Sequence, residues 1–443
     1  MNARAVNAEP PPRPAPGPWR LPPQSRRLLP LVLPAVVIGV GSALVLLVLS
    51  WASEQLQHWL WDWVPGRLGV SGDSRGWILL VLTATGVGVG LAVRLVPGHA
   101  GPDPATLALV DPPLPLITLP GIAVTAALGL AGGVSLGPEN PITSINIALA
   151  FALGSRLLPR VPGAAWTALA AAGTIGALFG SPTAAALVLS ERSAGQDQRP
   201  LWDRLFAPLV AAAAGAVTTV VVANPSFAVS LPPYTRVHAV DVLSAMVIAT
   251  AGAIAGLVAV HAFPVAHRAL HRLGRPPVVV ACGGLLLGAL GALGGDLTLF
   301  KGLDQIKDLC LHAGRHSAGQ LLGLAVVKLA ALVVAGSAGF RGGRIFPAVF
   351  VGGALGLCAH ALVPAVPPAL AVATAILGVL MATTQQGWLS LFTAATLVLS
   401  VELLPVLCIG ALPAWLLSTG RPPMVIPAGR HRASEVRGAG AQP

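Results

Sequence analysis

The chain has 443 residues, of which 55% are hydrophobic and only 10% charged, and its mean hydropathy is +0.78. No soluble domain of that length hides so much apolar surface, so the composition excludes a water-soluble globular protein and points to an all-α polytopic membrane protein. The formal net charge is +11, but the arginines cluster in short Pro-rich tails without interleaved aromatics, which argues against a nucleic-acid partner.

Residues 1–29 are rich in Pro and Arg and read as a disordered tail. Within it Arg4, Arg13, Arg20, Arg26 and Arg27 against Glu9 give residues 1–27 a charge of +4. A membrane span needs about 20 apolar residues. The long candidates are Leu31–Trp51, Ile78–Val96, Ala164–Phe179, Leu205–Val222, Val242–His261, Val278–Gly294, Leu321–Ala335 and Phe346–Val363. No small-residue cleavage site follows the first, so it is read as an uncleaved span and not a signal peptide. Residues 52–76 carry Trp59, Trp61 and Trp63 with Asp62, Arg67 and Asp73, the composition of an interfacial loop. The charged stretches 190–204 and 267–276 are expected in the cytoplasm, and 224–239 forms an outer loop between them. From Pro368 to Leu417 the sequence is nearly continuously apolar. Several runs are too short to cross alone, which points to re-entrant or tilted helices that line a protein-enclosed cavity. Residues 421–443 are a second basic tail, with Arg421, Arg430, Arg432 and Arg437 against Glu435 giving +3. The positive-inside rule places both tails in the cytoplasm and implies an even number of crossings.

The chain repeats itself. Thr183–Glu191 is similar to Thr393–Glu402 at an offset of 393 − 183 = 210, and the glycine-rich segment from Ala131 has a counterpart from Ala338 at 338 − 131 = 207. Two matches at nearly one offset divide the membrane region into halves at 30–223 and 240–420. The matches leave open whether the halves run parallel or inverted. Paired Gly/Pro-interrupted segments in equivalent positions of two halves are the best sequence pointer to a transport site.

Those segments are 132–145 and 336–350. In the first, Gly137-Pro138-Glu139-Asn140-Pro141 sets a lone carboxylate between two prolines, ahead of an apolar run. Glycine permits a tight turn and close approach, and proline is tolerated in a first helical turn. The helix that follows presents unpaired N–H groups and a positive dipole end, where an anion binds without a fixed cation. A charge at membrane depth is a functional hypothesis by default. Ionised, Glu139 would occupy an anion position; protonated, it would swing away, which makes it a candidate gate and proton carrier. The competing reading is an ordinary helix-capping acid. Gly343, Arg344, Ile345 and Phe346 in the second segment, like Gly137, Pro138, Glu139 and Asn140 in the first, are candidate anion-binding residues. Arg344 either attracts anions, or pairs with an acid or snorkels to an interface. Glu191 reads as a solvated helix-end charge; Glu402 and Lys328 are unassigned. Ser135 has no evident His partner. His261, His267 and His360 lack metal-ligand spacing, and no HExxH, GxSxG or Walker A pattern is present, so no enzyme, cofactor or metal is expected. The four cysteines form no CxxC pair and read as packing residues.

Together these residues resemble the CLC family of chloride channels and proton/anion antiporters, closest to a divergent bacterial branch. The family's Gly-Arg-Glu-Gly-Pro motif is matched by Gly137–Pro141, with Glu139 on the gating glutamate. Its Ala-Phe-Asn-Ala-Pro run resembles Leu178–Pro182; there the second of the two glutamates that end the following helix, the inner proton site of family antiporters, is Arg192. Its Gly-Gly-Ile-Phe-Ala-Pro motif resembles Gly342–Pro347, with Ile-Phe displaced by one residue. The family's anion-contacting serine would fall in Gly98–Pro102, where there is none. Its central tyrosine would fall near Met424, while Tyr234, the only tyrosine, lies in the outer loop. The resemblance implies tilted, broken helices in two inverted repeats, and a homodimer in the cell membrane. It also implies transport of a small inorganic anion, chloride, fluoride or similar, as a channel or a proton-coupled antiporter. The missing serine and tyrosine also leave room for a non-conducting scaffold or sensor.

Overall fold

The computed structural model describes residues 28–192, 200–400 and 402–427. The expected tails at 1–27 and 428–443 lie outside the described residues, as does the side chain of Arg192. The first half contains α1 (Val32–His58), α2 (Arg75–Leu95), α3 (Leu119–Ala131), α4 (Glu139–Leu157), α5 (Gly163–Phe179), α6 (Pro182–Arg192) and α7 (Leu201–Ala223). The second contains α8 (Ala239–His271), α9 (Pro276–Gly294), α10 (Leu303–Leu311), α11 (Ala318–Ser337), α12 (Ile345–Leu362), α13 (Pro368–Thr384), α14 (Gly387–Val398) and α15 (Leu404–Ser418). Among the described residues the β-type pairing is one isolated antiparallel bridge, Gly137 to Gly343.

The helices repeat in order. Starts of α4 and α12 differ by 345 − 139 = 206, those of α5 and α13 by 368 − 163 = 205, and those of α6 and α14 by 387 − 182 = 205. The 207 offset between Ala131 and Ala338 follows this spacing. The 210 offset does not: Thr183 is the second residue of α6 whereas Thr393 is the seventh of α14, so that match reflects shared Ala/Leu/Val composition and not structural equivalence. The halves are inverted. The equivalent helices α2 and α9 pack antiparallel, with Gly86 against Gly284, Gly90 against Pro277 and Gly288 against Leu79. Glycine is required there because a Cβ on Gly86 would stand 2.8 Å from the Gly284 Cα and from the Val280 carbonyl oxygen.

Among the described residues seven helical segments are long and apolar enough to cross a bilayer. The 17-residue α5 and α13 span only about 25 Å at 1.5 Å per residue, short of a hydrocarbon core of about 30 Å. They are viable because other helices enclose them: every residue of α13 from Ala369 to Thr383 is buried. The apolar stretch after Pro368 is cut into α13, α14 and α15 by left-handed breaks at Gln385 and Leu399.

Two segments differ from expectation. Residues 52–68 are helical and not a loop: α1 runs on through a π-turn at Trp59–Trp63 into Val64–Leu68. Trp61 turns inward there, donating to the Ala131 carbonyl at 2.9 Å and meeting Phe300 edge-on at 5.4 Å, because an indole buried at this depth needs an acceptor for its N–H. Residues 421–427 are a packed strap and not a free tail: Met424 is buried, its N–H bonds Thr383 O at 3.1 Å, and the Ile426 N–H bonds Ala105 O at 2.9 Å. That strap, the loop after α2 and the start of α1 lie on one face, called here the terminal face; α1 and α2 reverse direction through the turn at 69–74.

Lys328, in α11, is fully buried, and its Nζ donates to the carbonyls of Thr298 (3.0 Å), Leu299 (2.7 Å) and Phe300 (2.8 Å). It thereby fixes the 298–302 loop beside Lys301. Each hydrogen bond to a charged group contributes roughly 1.5–3 kcal/mol. Lys328→Met keeps the stem but strands three carbonyls, so the thermal midpoint of the detergent-solubilised protein should fall by several degrees; an unchanged midpoint would show that the loop does not depend on the ammonium.

Candidate functional site

The site is built where the two halves touch. After α3 the chain turns at Gly132 and Gly133, the latter at φ 87°, and after α11 at Gly339, φ 91°. A Cβ on Gly133 would press on the Trp61 ring at 2.9 Å. The chain then runs extended to Gly137 in one half and Gly343 in the other. These two exchange hydrogen bonds: Gly137 N–H to Gly343 O at 2.8 Å and Gly343 N–H to Gly137 O at 2.6 Å. Immediately beyond, α4 starts at Glu139 and α12 at Ile345. Pro141 and Pro347 each sit in a first turn, where a missing N–H leaves no helical bond unmade.

Glu139 is completely buried in this junction. Its Oε1 accepts the Phe346 N–H, in the first turn of α12, at 3.0 Å. Its Oε2 has no hydrogen-bond partner among the described residues. The carboxylate lies over Gly137 and Gly343, and a Cβ on either would overlap Oε2. An acid carried by α4 thus sits on the N-terminus of α12, one half's side chain closing the other half's helix end. A helix N-terminus favours an anion by up to about 2 kcal/mol in partly buried geometry. An unsatisfied polar atom costs about 1–3 kcal/mol, so the helix end and the bond from Phe346 N–H offset the cost of leaving Oε2 unpaired.

The expected anion-site residues divide. Gly137, Glu139, Gly343 and Phe346 meet directly, and Ile345 is buried as the first residue of α12. Pro138 faces a cleft on one side; Asn140 faces a small cavity on the other. Arg344 turns away from Glu139. It neither pairs with an acid within 4 Å among the described residues nor snorkels: Nη2 donates to Pro104 O at 2.9 Å, Nη1 to Met424 O, and the guanidinium lies 4.9 Å from the centre of the Phe263 ring. Its buried Nε has no partner among the described residues.

Arg341 was not among the expected site residues, and it is as central. Buried to 9% exposure, it donates from Nε to Ala100 O at 2.9 Å and from Nη2 to Gly101 O at 3.2 Å. Gly98, His99, Ala100 and Gly101 all have positive φ, an expensive conformation for His99 and Ala100 that turns their carbonyls toward this guanidinium. Arg341 and Arg344 together tie the 98–104 loop and the 424 strap to the segment before α12. These are the two places where the resemblance would put a serine and a tyrosine.

Access is unequal on the two sides. Away from the terminal face a cleft of about 730 Å³, lined by Glu54, Pro138, Thr219, Phe227, Lys301 and Phe346, reaches the residues flanking Glu139. Phe179 backs Phe346 there with ring centres 6.1 Å apart. Toward the terminal face, among the described residues, a cavity of about 20 Å³ is lined by Ala100, Pro104, Asn140, Ser144, Arg341 and Gly342, room for roughly one water.

Other residues singled out in the sequence lie elsewhere. Glu191 is a cap and not a free charge: Oε1 accepts from Gly387 N–H at 2.9 Å and Oε2 from Trp388 N–H at 3.3 Å, at the start of α14. Glu402 is exposed and accepts from Ser400 Oγ at 3.0 Å. Ser135 is buried, with no hydrogen-bond partner for Oγ among the described residues. Tyr234 donates to Asp241 Oδ2 at 2.7 Å, in the loop before α8.

The family model "Voltage gated chloride channel" matches residues 85–419. Escherichia coli proteins named "Putative ion-transport protein YfeO" are 53% identical over 404 residues, covering 91% of this chain and 96% of theirs. Among solved structures, a CLC-type fluoride/proton antiporter superposes with a TM-score of 0.70 at 20% identity, over 89% of this chain and 96% of that one. A slow cyanobacterial Cl⁻/H⁺ antiporter superposes with a TM-score of 0.76 at 14% identity, over 96% and 100%.

The glycine seat makes a sharp prediction. Gly343→Ala should expel the carboxylate, and Glu139 should then react with a water-soluble carbodiimide added to the purified protein, whereas in wild type it is shielded. Equal labelling of the two proteins, read by peptide mass spectrometry, would mean that the backbone yields in place of the carboxylate.

Proposed function

Because the chain belongs to the voltage-gated chloride channel family, we propose that it carries a small inorganic anion across the membrane, with Glu139 as the gate. The observation that carries this reading is the seat of Glu139: its carboxylate holds the α12 helix end that a dehydrated anion would use. The attraction that seats the ionised side chain disappears when it takes up a proton, so protonation frees the position for an anion. That exchange couples anion and proton movement at one group.

Chloride and fluoride are the first anions to test, since antiporters of similar fold are described as carrying each with protons. The anion enters from the wide cleft, whose wall carries Lys301 and Lys307 paired with Asp304, and Glu54. We place the terminal face in the cytoplasm on the positive-inside rule, and take the working unit as a homodimer with one pathway per subunit. The halves at 30–223 and 240–420 each supply one of the two helix ends.

Efflux from liposomes tests the reading. Wild-type protein should release chloride, fluoride or nitrate and move protons when a gradient is imposed. Glu139→Gln, which keeps the shape and removes the titration, should keep anion flux and lose proton movement. No wild-type flux with any of the three anions would sink transport. It would favour a non-conducting scaffold, a reading that the closure of the terminal side by Arg341 and Arg344 makes specific.

A further inference from the structure

The geometry points to a binding site for a divalent transition metal, of the zinc type, formed by Asp103, His267 and His271 on the terminal face. The inference stands on its own ligands and does not depend on the transport reading. His267 and His271 are four residues apart near the end of α8, on one helical face, a spacing that lets two imidazoles share a metal. Asp103 comes from the loop after α2. Its Oδ2 lies 2.7 Å from His267 Nε2 and 3.7 Å from His271 Nε2, and one ligand atom from each residue falls within 4.8 Å of the others. Tetrahedral zinc with bonds of about 2.0–2.2 Å sets its ligand atoms roughly 3.3 Å apart. The observed spacing therefore needs only small side-chain shifts, chiefly a tilt of the two rings, which stack at 3.8 Å.

The surrounding bonds are those such ligands need. His271 Nδ1 contacts His267 O at 2.9 Å; with that nitrogen as the donor, Nε2 carries the free lone pair. Asp103 Oδ1 accepts the Ala105 N–H at 3.0 Å, which orients the carboxylate and leaves Oδ2 for the metal. Metal-binding imidazoles and carboxylates are held by such outer bonds. The short His267–Asp103 contact needs a proton on His267 Nε2; when metal takes its place that proton passes by way of solvent to His267 Nδ1, and the ring binds as a neutral imidazole. The side chains are 16% (His267), 37% (His271) and 31% (Asp103) exposed, so a water can complete the shell.

The consequence reaches the pathway. Asp103 precedes Pro104, whose carbonyl receives Arg344, and follows Ala100 and Gly101, which receive Arg341. A metal here fastens the 98–106 loop to α8.

The test uses the full-length protein in detergent, stripped with a chelator and titrated with Zn²⁺ alone. Wild type should bind one Zn²⁺ per chain at this site, with affinity at least tenfold weaker in His271→Ala, at an exposed helix end where folding is safe, and likewise in His267→Ala. Co²⁺ should give the visible absorption of a tetrahedral site in wild type and lose it in both variants. Zn²⁺ should slow hydrogen exchange of residues 98–106 in wild type only. Zinc binding that is absent, or unchanged in both variants, overturns the site; binding without slower exchange overturns the fastening of the loop.

Discussion

Everything at the centre of this protein depends on two backbone hydrogen bonds, between Gly137 and Gly343. Inside a membrane a broken helix leaves N–H and C=O groups with no water to satisfy them. The two breaks satisfy each other at their extended residues, which is possible because the halves are inverted and meet head to head. Glycine at both positions lets the strands approach and leaves space above them. The N–H groups of the first turn of α12 remain free to point into that space, and the Glu139 carboxylate fills it. Sequence, symmetry and chemistry meet at one contact: without the bridge the helix ends would not converge, and without the glycines there would be no room for the Glu139 carboxylate.

The junction is symmetric in backbone and asymmetric in side chains. On the α4 side the residue after the bridging glycine and Pro138 is an acid; on the α12 side the glycine is followed by Arg344. The acid turns into the junction and the arginine turns out of it, toward the terminal face. A wide cleft reaches the junction from one side, and on the other two guanidiniums are bonded to carbonyls of the 98–104 loop and the 424 strap. Carbonyls suit this task because they carry no charge for an anion to compete with, yet they satisfy most of the donors of a buried arginine.

The parts of the fold legible in the sequence are those with a local signature. An acid between prolines at membrane depth marked Glu139, and the glycine pairs at 132–133 and 342–343 marked the helix breaks. The Thr183/Thr393 match shows the limit of such signals, since apolar helices share composition without sharing position. Arg341 carries no local signal: it bonds residues some 240 positions away, and nothing near it reveals those partners. The same holds for Asp103 and His267, 164 residues apart; the i, i+4 spacing of His267 and His271 is in the sequence, but the third ligand is not. Trp61 was misplaced because tryptophan near a span end is usually interfacial, and only the fold shows the Ala131 carbonyl that accepts its N–H.

The departure from the family pattern has a physical meaning. Neutral hydroxyls of a serine and a tyrosine bind an anion weakly and release it readily. Here their places are taken by loop carbonyls and by Arg344, whose Nε is left without a partner among the described residues while its other nitrogens are engaged. An anion arriving from Glu139 would meet one free donor on a full cation in a water-poor site, where attraction is strong and release slow. The two arginines hold the 98–104 loop and the 424 strap together on the terminal side. On the reading proposed above, that loop would have to leave both guanidiniums before an anion could pass.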